Sequence, residues 1–182
     1  ASAALEQIAV AGGKNAEHAA SQKAYVDRLY AASGAADCGQ MDQMYASVVA
    51  ESANDLDKLG SIMKLYRRLG CTESDVYFAA AEHAHKLQPT DESAAGCAQM
   101  CIKKGDFAGA VEYYKQALSL VANEDDKADY LYRLANVYVS LKNYQQGVSY
   151  AQQALDIAPE DGRCYLLMGI CYASAKVSDD PI

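Results

Sequence analysis

Tryptophan is missing from the 182 residues, phenylalanine occurs twice and proline three times. Few prolines and twelve glycines leave little to interrupt long helices. The strict apolar–polar alternation of half-buried strands is nearly absent as well. Together these shortages predict an all-α chain. No apolar run reaches the roughly 18 residues that a membrane-spanning helix needs. Basic residues are outnumbered, 16 Lys and Arg against 24 Asp and Glu, and a net charge of -8 argues against nonspecific attraction to phosphate backbones. Nucleic acid is therefore not an expected partner. A Gly-rich phosphate loop, an HExxH pair and a nucleophile elbow are all missing, and no carboxylate pair stands apart from the solvated helix faces. Neither catalysis nor a cofactor is expected. What is present is an apolar content of 51%, which excludes general disorder and supplies a real core for one domain. The first residue is Ala, with no basic segment and apolar stretch behind it, so a targeting signal is expected to be already removed if one existed.

The sequence repeats itself at a nearly fixed spacing. In "NYQQGVSYAQQALDIAP", residues 143 to 159, the residues Tyr144, Val148, Ala151 and Leu155 form one apolar helical stripe, and Gly147 and Ala154 lie beside it. Glycine inside a helix costs about 1 kcal/mol against alanine, so its presence there points to a second helix approaching closely. A shift of 37 residues lays "GDFAGAVEYYKQAL" (105 to 118) on "KNYQQGVSYAQQAL" (142 to 155), with Ala110 on Gly147 and Ala117 on Ala154. At the same shift Ala98 meets Ala135, and a further shift of 34 carries Ala135 to Gly169. These seven small residues are the expected close-approach points. Toward the N-terminus a shift of 33 superposes "CGQMDQMYA" on "CTESDVYFA".

Each unit reads as two helices. The pairs are expected at 14–30 with 39–52, 55–69 with 73–87, 91–104 with 106–121 and 125–141 with 143–157, followed by a single helix at 161–175. Residues 1–13 read as the second helix of an earlier pair, broken at Gly12 and Gly13. Thr72 with Asp75 resembles a capping box, Gly70 and Gly105 follow basic last turns, and Pro89 and Pro159 close helices.

A unit of this length has a small residue in its first helix, an aromatic opening its second, small residues within that and a proline at its end. It resembles the tetratricopeptide repeat. The resemblance implies a right-handed superhelix of stacked antiparallel helix pairs. Its repeats would cover 53–90, 91–124 and 125–160, with a divergent one at 14–52 and the first helix of an incomplete one at 161–182. The stretch "GCTESDVYFAAAEHAHKLQPTDESA" with the two good repeats behind it resembles exported bacterial proteins of this kind, in which a cysteine precedes the second helix of adjacent repeats. Cys38 and Cys71 stand in that place. The resemblance implies a disulfide between them and an exported or periplasmic location, against two buried thiols and a cytoplasmic one.

The other cysteines read as core. Cys97 and Cys101 share a helix face but make only half of a tetrahedral metal site, and Cys164 and Cys171 lie seven apart on the last helix. His83 and His85 point to different sides of their helix and His18 stands alone, so no metal site is expected. A thiol nucleophile with His83 as its base lacks an orienting group.

What remains is protein binding. The resemblance implies a concave groove built by the first helices, with Gln99, Tyr132, Arg133, Asn136, Arg163 and Leu166 facing a peptide or partner protein. A competing reading is the clamp that holds a C-terminal carboxylate, for which only Arg133, Asn136 and Arg163 supply suitable groups. Finally, Tyr165, Met168, Gly169 and Tyr172 repeat positions that face a partner helix one unit earlier, while only Lys176 to Ile182 follow. The chain is therefore expected to be a fragment of a longer protein, or to have this end covered by another copy or by a partner, with self-association through Tyr165, Met168 and Tyr172 as the form in vitro.

Overall fold

Short polar side chains fix where the helices start. In the computed structural model, which describes residues 2–11 and 15–178, the elements are α1 (Ser2–Ala11), α2 (Ala16–Ala32), α3 (Cys38–Glu51), α4 (Leu56–Arg68), α5 (Asp75–Leu87), α6 (Asp91–Lys103), α7 (Phe107–Leu120), α8 (Glu124–Ser140), α9 (Tyr144–Ile157) and α10 (Gly162–Ser178). Asp37 and Gln40 form a reciprocal capping box at α3, and Thr90 with Ser93 forms another at α6. Asp55, Asp106, Asn123 and Asn143 each accept an amide hydrogen of their first turn. The expected box of Thr72 with Asp75 does not form. Ser74 caps α5 instead, its hydroxyl accepting from Val76 and Tyr77, so the helix begins later than residue 73 and leaves Thr72 in the turn. Gly12 and Gly13 lie outside the described residues.

Three helix ends share one geometry. The amides of Cys71, Asp106 and Asn143 donate to the carbonyls of Tyr66, Cys101 and Tyr138, each five residues back. The residue before each amide has positive φ: Gly70 (72°), Gly105 (77°) and, in the third turn, Lys142 (58°).

From α4 onward each helix packs on the next, and α10 also touches α8. The core is three linked clusters: one from α2 to α5 around Met41, Leu59, Met63 and Tyr66; one of α6, α7 and α8 around Tyr114 and Leu134; and one of α8, α9 and α10 around Leu155, Cys164 and Leu167. Ala98, Ala110, Ala117, Ala135 and Ala154 are buried within this succession. Gly147 is a true contact point. A Cβ there would lie 3.2 Å from Cys171 Sγ on α10, 3.2 Å from Val139 Cγ2 and 3.4 Å from the Ala135 carbonyl oxygen on α8. Gly96 is tighter still, with a Cβ falling 2.5 Å from that of Ala81 on α5. Gly169 departs from the expectation, for a Cβ there would meet nothing within 4 Å. The reason is the face that α10 uses: Cys164, Leu167, Cys171 and Ala175 are the buried residues, and Gly169 points the other way. Met168, which the repeat register grouped with Tyr165 and Tyr172, packs partly into the third cluster.

Cys38 and Cys71 are joined by a disulfide, with Cα atoms 5.4 Å apart, that ties the start of α3 to the turn before α5. Asp42 on α3 reinforces this link by accepting from the Tyr66 hydroxyl of α4 and from the Ser74 hydroxyl.

Candidate functional site

Charged side chains along the first helices α4, α6, α8 and α10 are used mainly on one another. Arg67 on α4 bridges Glu92 on α6 (2.7 Å) and Asp126 on α8 (2.8 Å). Asp129 on α8 accepts from Arg133 Nε (2.6 Å) and from Arg163 on α10 (3.1 Å). Arg163 is held further by Asp161 at 2.8 Å and lies over the Tyr132 ring, 4.5 Å from its centroid. These contacts set the ionisation of the groups. The bond to Asp161 raises the pKa of Arg163, and the same bond holds the Asp161 carboxyl below its ordinary value. Burial would depress Arg133, but the bond to Asp129 more than offsets it.

Between α6, α7 and α8 this wall opens into a hollow of about 260 Å³ lined by Gln99, Tyr132, Arg133, Asn136, Tyr114, Glu73, Phe107, Ile102, Val137 and Ser140. Of the six residues expected in the groove, Gln99, Tyr132, Arg133 and Asn136 meet here. Arg163 is joined to them through its stack on Tyr132. Leu166 is not brought in, and lies 68% exposed on α10. Glu73, Tyr114 and Phe107 were not expected. Phe107 is the aromatic that opens the second helix of its unit, a signal that was legible, whereas Glu73 comes from a turn and Tyr114 from a second helix, where no repeat register marks the wall.

The hollow carries two buried polar groups. Gln99 is only 8% exposed and its Oε1 accepts no hydrogen bond, while the fully buried Tyr114 hydroxyl has the Arg133 guanidinium beside it. Buried polar groups are nearly always bonded, so the Gln99 oxygen calls for a donor. Burial pushes the Tyr114 phenol up to about 12 against the pull of the nearby Arg133 charge, which keeps it a neutral donor at any physiological pH.

A second, wider hollow of about 1050 Å³ separates α2 from α3 and α4, with Met44, Tyr45, Val48, Ile62 and Leu65 among its walls. It is broader than the first, and Lys23, Asp27, Glu51, Asp55, Asp57 and Lys58 also line it.

The remaining reactive groups belong to packing. Cys97, Cys101, Cys164 and Cys171 are reduced and buried. Burial, then the neighbouring Cys101, pushes the Cys97 thiol up to about 12, the opposite of what a nucleophile needs. His85 shares a hydrogen bond of 3.2 Å with Ser93 and meets the Tyr113 ring edge to face, and burial lowers its pKa. Among the described residues no three His, Cys, Asp or Glu side chains converge on a point where a metal ion could sit. Nor is any helix among them long and apolar enough to cross a membrane.

Comparison with known proteins agrees with this architecture. Residues 90–160 match the family model described as tetratricopeptide repeat. Photosystem I assembly protein Ycf3 of Synechococcus sp. (strain CC9311) is 34% identical over 68 residues, 37% of this chain and 39% of that protein. The same protein of Prochlorococcus marinus (strain NATL2A) is 31% identical over an equal span. Response regulator aspartate phosphatase A of Bacillus subtilis (strain 168) is 37% identical over 58 residues, 30% of this chain and 15% of that protein. The chain thus spans about 39% of the length of the assembly proteins it matches. A crystal structure of MamA superposes with a TM-score of 0.62 at 19% identity, covering 78% of this chain and 82% of that one. A second MamA structure gives 0.61 at 16% identity over 86% and 81%. At such identities the MamA structures speak for the fold alone, a solenoid of stacked helix pairs. Residues 90–160 thus match the tetratricopeptide repeat model, and the fold that carries them is a solenoid of stacked helix pairs.

Proposed function

We propose that the chain acts as a single array of helix pairs, a protein–protein interaction scaffold that holds a peptide or partner segment against α6, α7 and α8. The observation that carries the reading is the hollow at Gln99, Tyr132, Arg133 and Asn136, where the buried Gln99 oxygen accepts no hydrogen bond. A bound main chain supplies a donor to that oxygen, and both donors and acceptors to the Asn136 amide. Among the relatives are proteins named for assembling photosystem I, and their general role of assembling proteins fits such a hollow. Carboxylate capture is the weaker alternative, because Arg133 and Arg163 already spend their charges on Asp129 and Asp161. The reading includes no catalysis, in keeping with the raised Cys97 thiol. The Cys38–Cys71 disulfide supports an exported or periplasmic setting, where such bonds persist.

Selection of peptides from a random display library against the whole chain tests this. The peptides recovered should bind Asn136→Ala and Gln99→Ala at least about tenfold more weakly while helix content and melting stay near those of the parent. Peptides that bind both variants as well as the parent would move the site away from this hollow.

A further inference from the structure

Helix α10 carries large apolar side chains on both its inner and its outer face. Its inner face, Cys164, Leu167, Cys171 and Ala175, is buried against α8 and α9. Its outer face carries Tyr165 (58% exposed), Leu166, Ile170 and Tyr172 (47% exposed). Four large exposed side chains on one helix exceed the scattered apolar residues of a normal surface. The outer face also has a regular layout. At a helical period Gly162, Gly169 and Lys176 run along its centre, seven residues apart, with Tyr165 and Tyr172 on one flank and Leu166 and Ala173 on the other. Gly162 and Gly169 each leave open space where a Cβ would be.

We propose that this face is the contact between two copies of the chain, with the two α10 helices antiparallel and crossing at Gly169. The layout suits a two-fold contact and no other simple one. Rotation about an axis through Gly169 brings Tyr165 beside Tyr172 of the second copy, Leu166 beside the small Ala173, and glycine onto glycine, which lets the helix axes approach closely. Charge agrees with the antiparallel sense. Lys176 of one copy comes over Gly162 of the other, next to the exposed Glu160, and the paired helix dipoles oppose. A parallel pairing would instead set Lys176 against Lys176. The proposal does not depend on the groove, because the Gln99 hollow lies on α6, α7 and α8.

Sedimentation equilibrium of the whole chain, up to about 300 µM because a two-helix contact is smaller than a standard interface, should show a reversible monomer–dimer equilibrium. Gly169→Leu should raise the dissociation constant at least about tenfold while the melting temperature of the dilute monomer stays level or rises, since the new side chain enters open space and favours the helix. Lys176→Glu should weaken the dimer severalfold, and the double variant Glu160→Lys with Lys176→Glu should recover it. A monomer at the highest concentration overturns the proposal. A dimer indifferent to Gly169→Leu, or one that the double charge exchange fails to restore, overturns the contact and its antiparallel sense.

Discussion

Lys142 occupies the left-handed turn that its two counterparts fill with glycine. The backbone around it is the same as at Gly70 and Gly105: the following amide reaches back five residues, and the φ angle is positive in all three. For a residue with a Cβ that conformation costs roughly 1 to 2 kcal/mol. Lys142→Gly should therefore stabilise the chain by about 1 kcal/mol, after the greater entropy glycine loses on folding, and raise the melting temperature by roughly 2 to 4 °C. A fall in thermal melting would mean that the turn is held by the lysine side chain and not merely tolerated. The shift of 37 residues laid Lys142 on Gly105 in the bare sequence, but a lysine announces nothing about φ, so the strain was invisible there. Thr72 shows the converse error. A capping pattern was legible at Thr72 and Asp75, yet Ser74, which also reaches Asp42 on another helix, takes the cap because it serves two partners at once.

At the scale of the helix, periodicity and punctuation located α3 to α10 to within a few residues, because apolar stripes and end signals are local properties. Where two helices touch is less local. Repeat alignment pointed to Gly147, and the structure sets its missing Cβ against α8 and α10 together. Gly147→Leu should then destabilise by roughly 1 to 3 kcal/mol, although helix propensity alone favours leucine. Gly96→Ala is the sharper comparison, since Ala81 stands on a neighbouring helix and cannot swing aside. It should lower the melting temperature despite alanine being the best helix former. A raised melting temperature in either variant would refute the packing register. Gly96 escaped the sequence reading because it has no counterpart at the repeat spacing: its glycine answers to one local crossing of α5 and α6. Gly169 failed in the opposite way, matching the register while the helix that would fill the position is not contributed by the described residues.

Across the whole molecule, the repeat alone sets α6 and α8 side by side, which is why Gln99, Tyr132, Arg133 and Asn136 meet at one hollow. The turn and second-helix contributors, Glu73 and Tyr114, required the tertiary path of the chain. The same scale governs how stability is distributed. In a stacked array each pair contacts only its neighbours, so its parts can open separately. Residues 91–157 are stitched by buried small residues and by the stacked rings of Tyr138 and Tyr150, 5.4 Å apart. The N-terminal part instead leaves a wide hollow between α2 and helices α3 and α4, and α3 is held by its buried Met41 and Val49 together with the disulfide and the Asp42 hydrogen bonds. A cross-link between residues 33 apart removes enough freedom from the unfolded chain to contribute about 3 to 4 kcal/mol. Cys38→Ser should accordingly accelerate amide hydrogen exchange in α3 and α4 by a large factor, while α6 to α9 keep most of their protection. Uniform loss of protection from α3 to α9 would mean that the array unfolds as one cooperative unit, with the disulfide stabilising all of it, whereas the nearest-neighbour packing seen here requires that the effect fade with each successive helix pair.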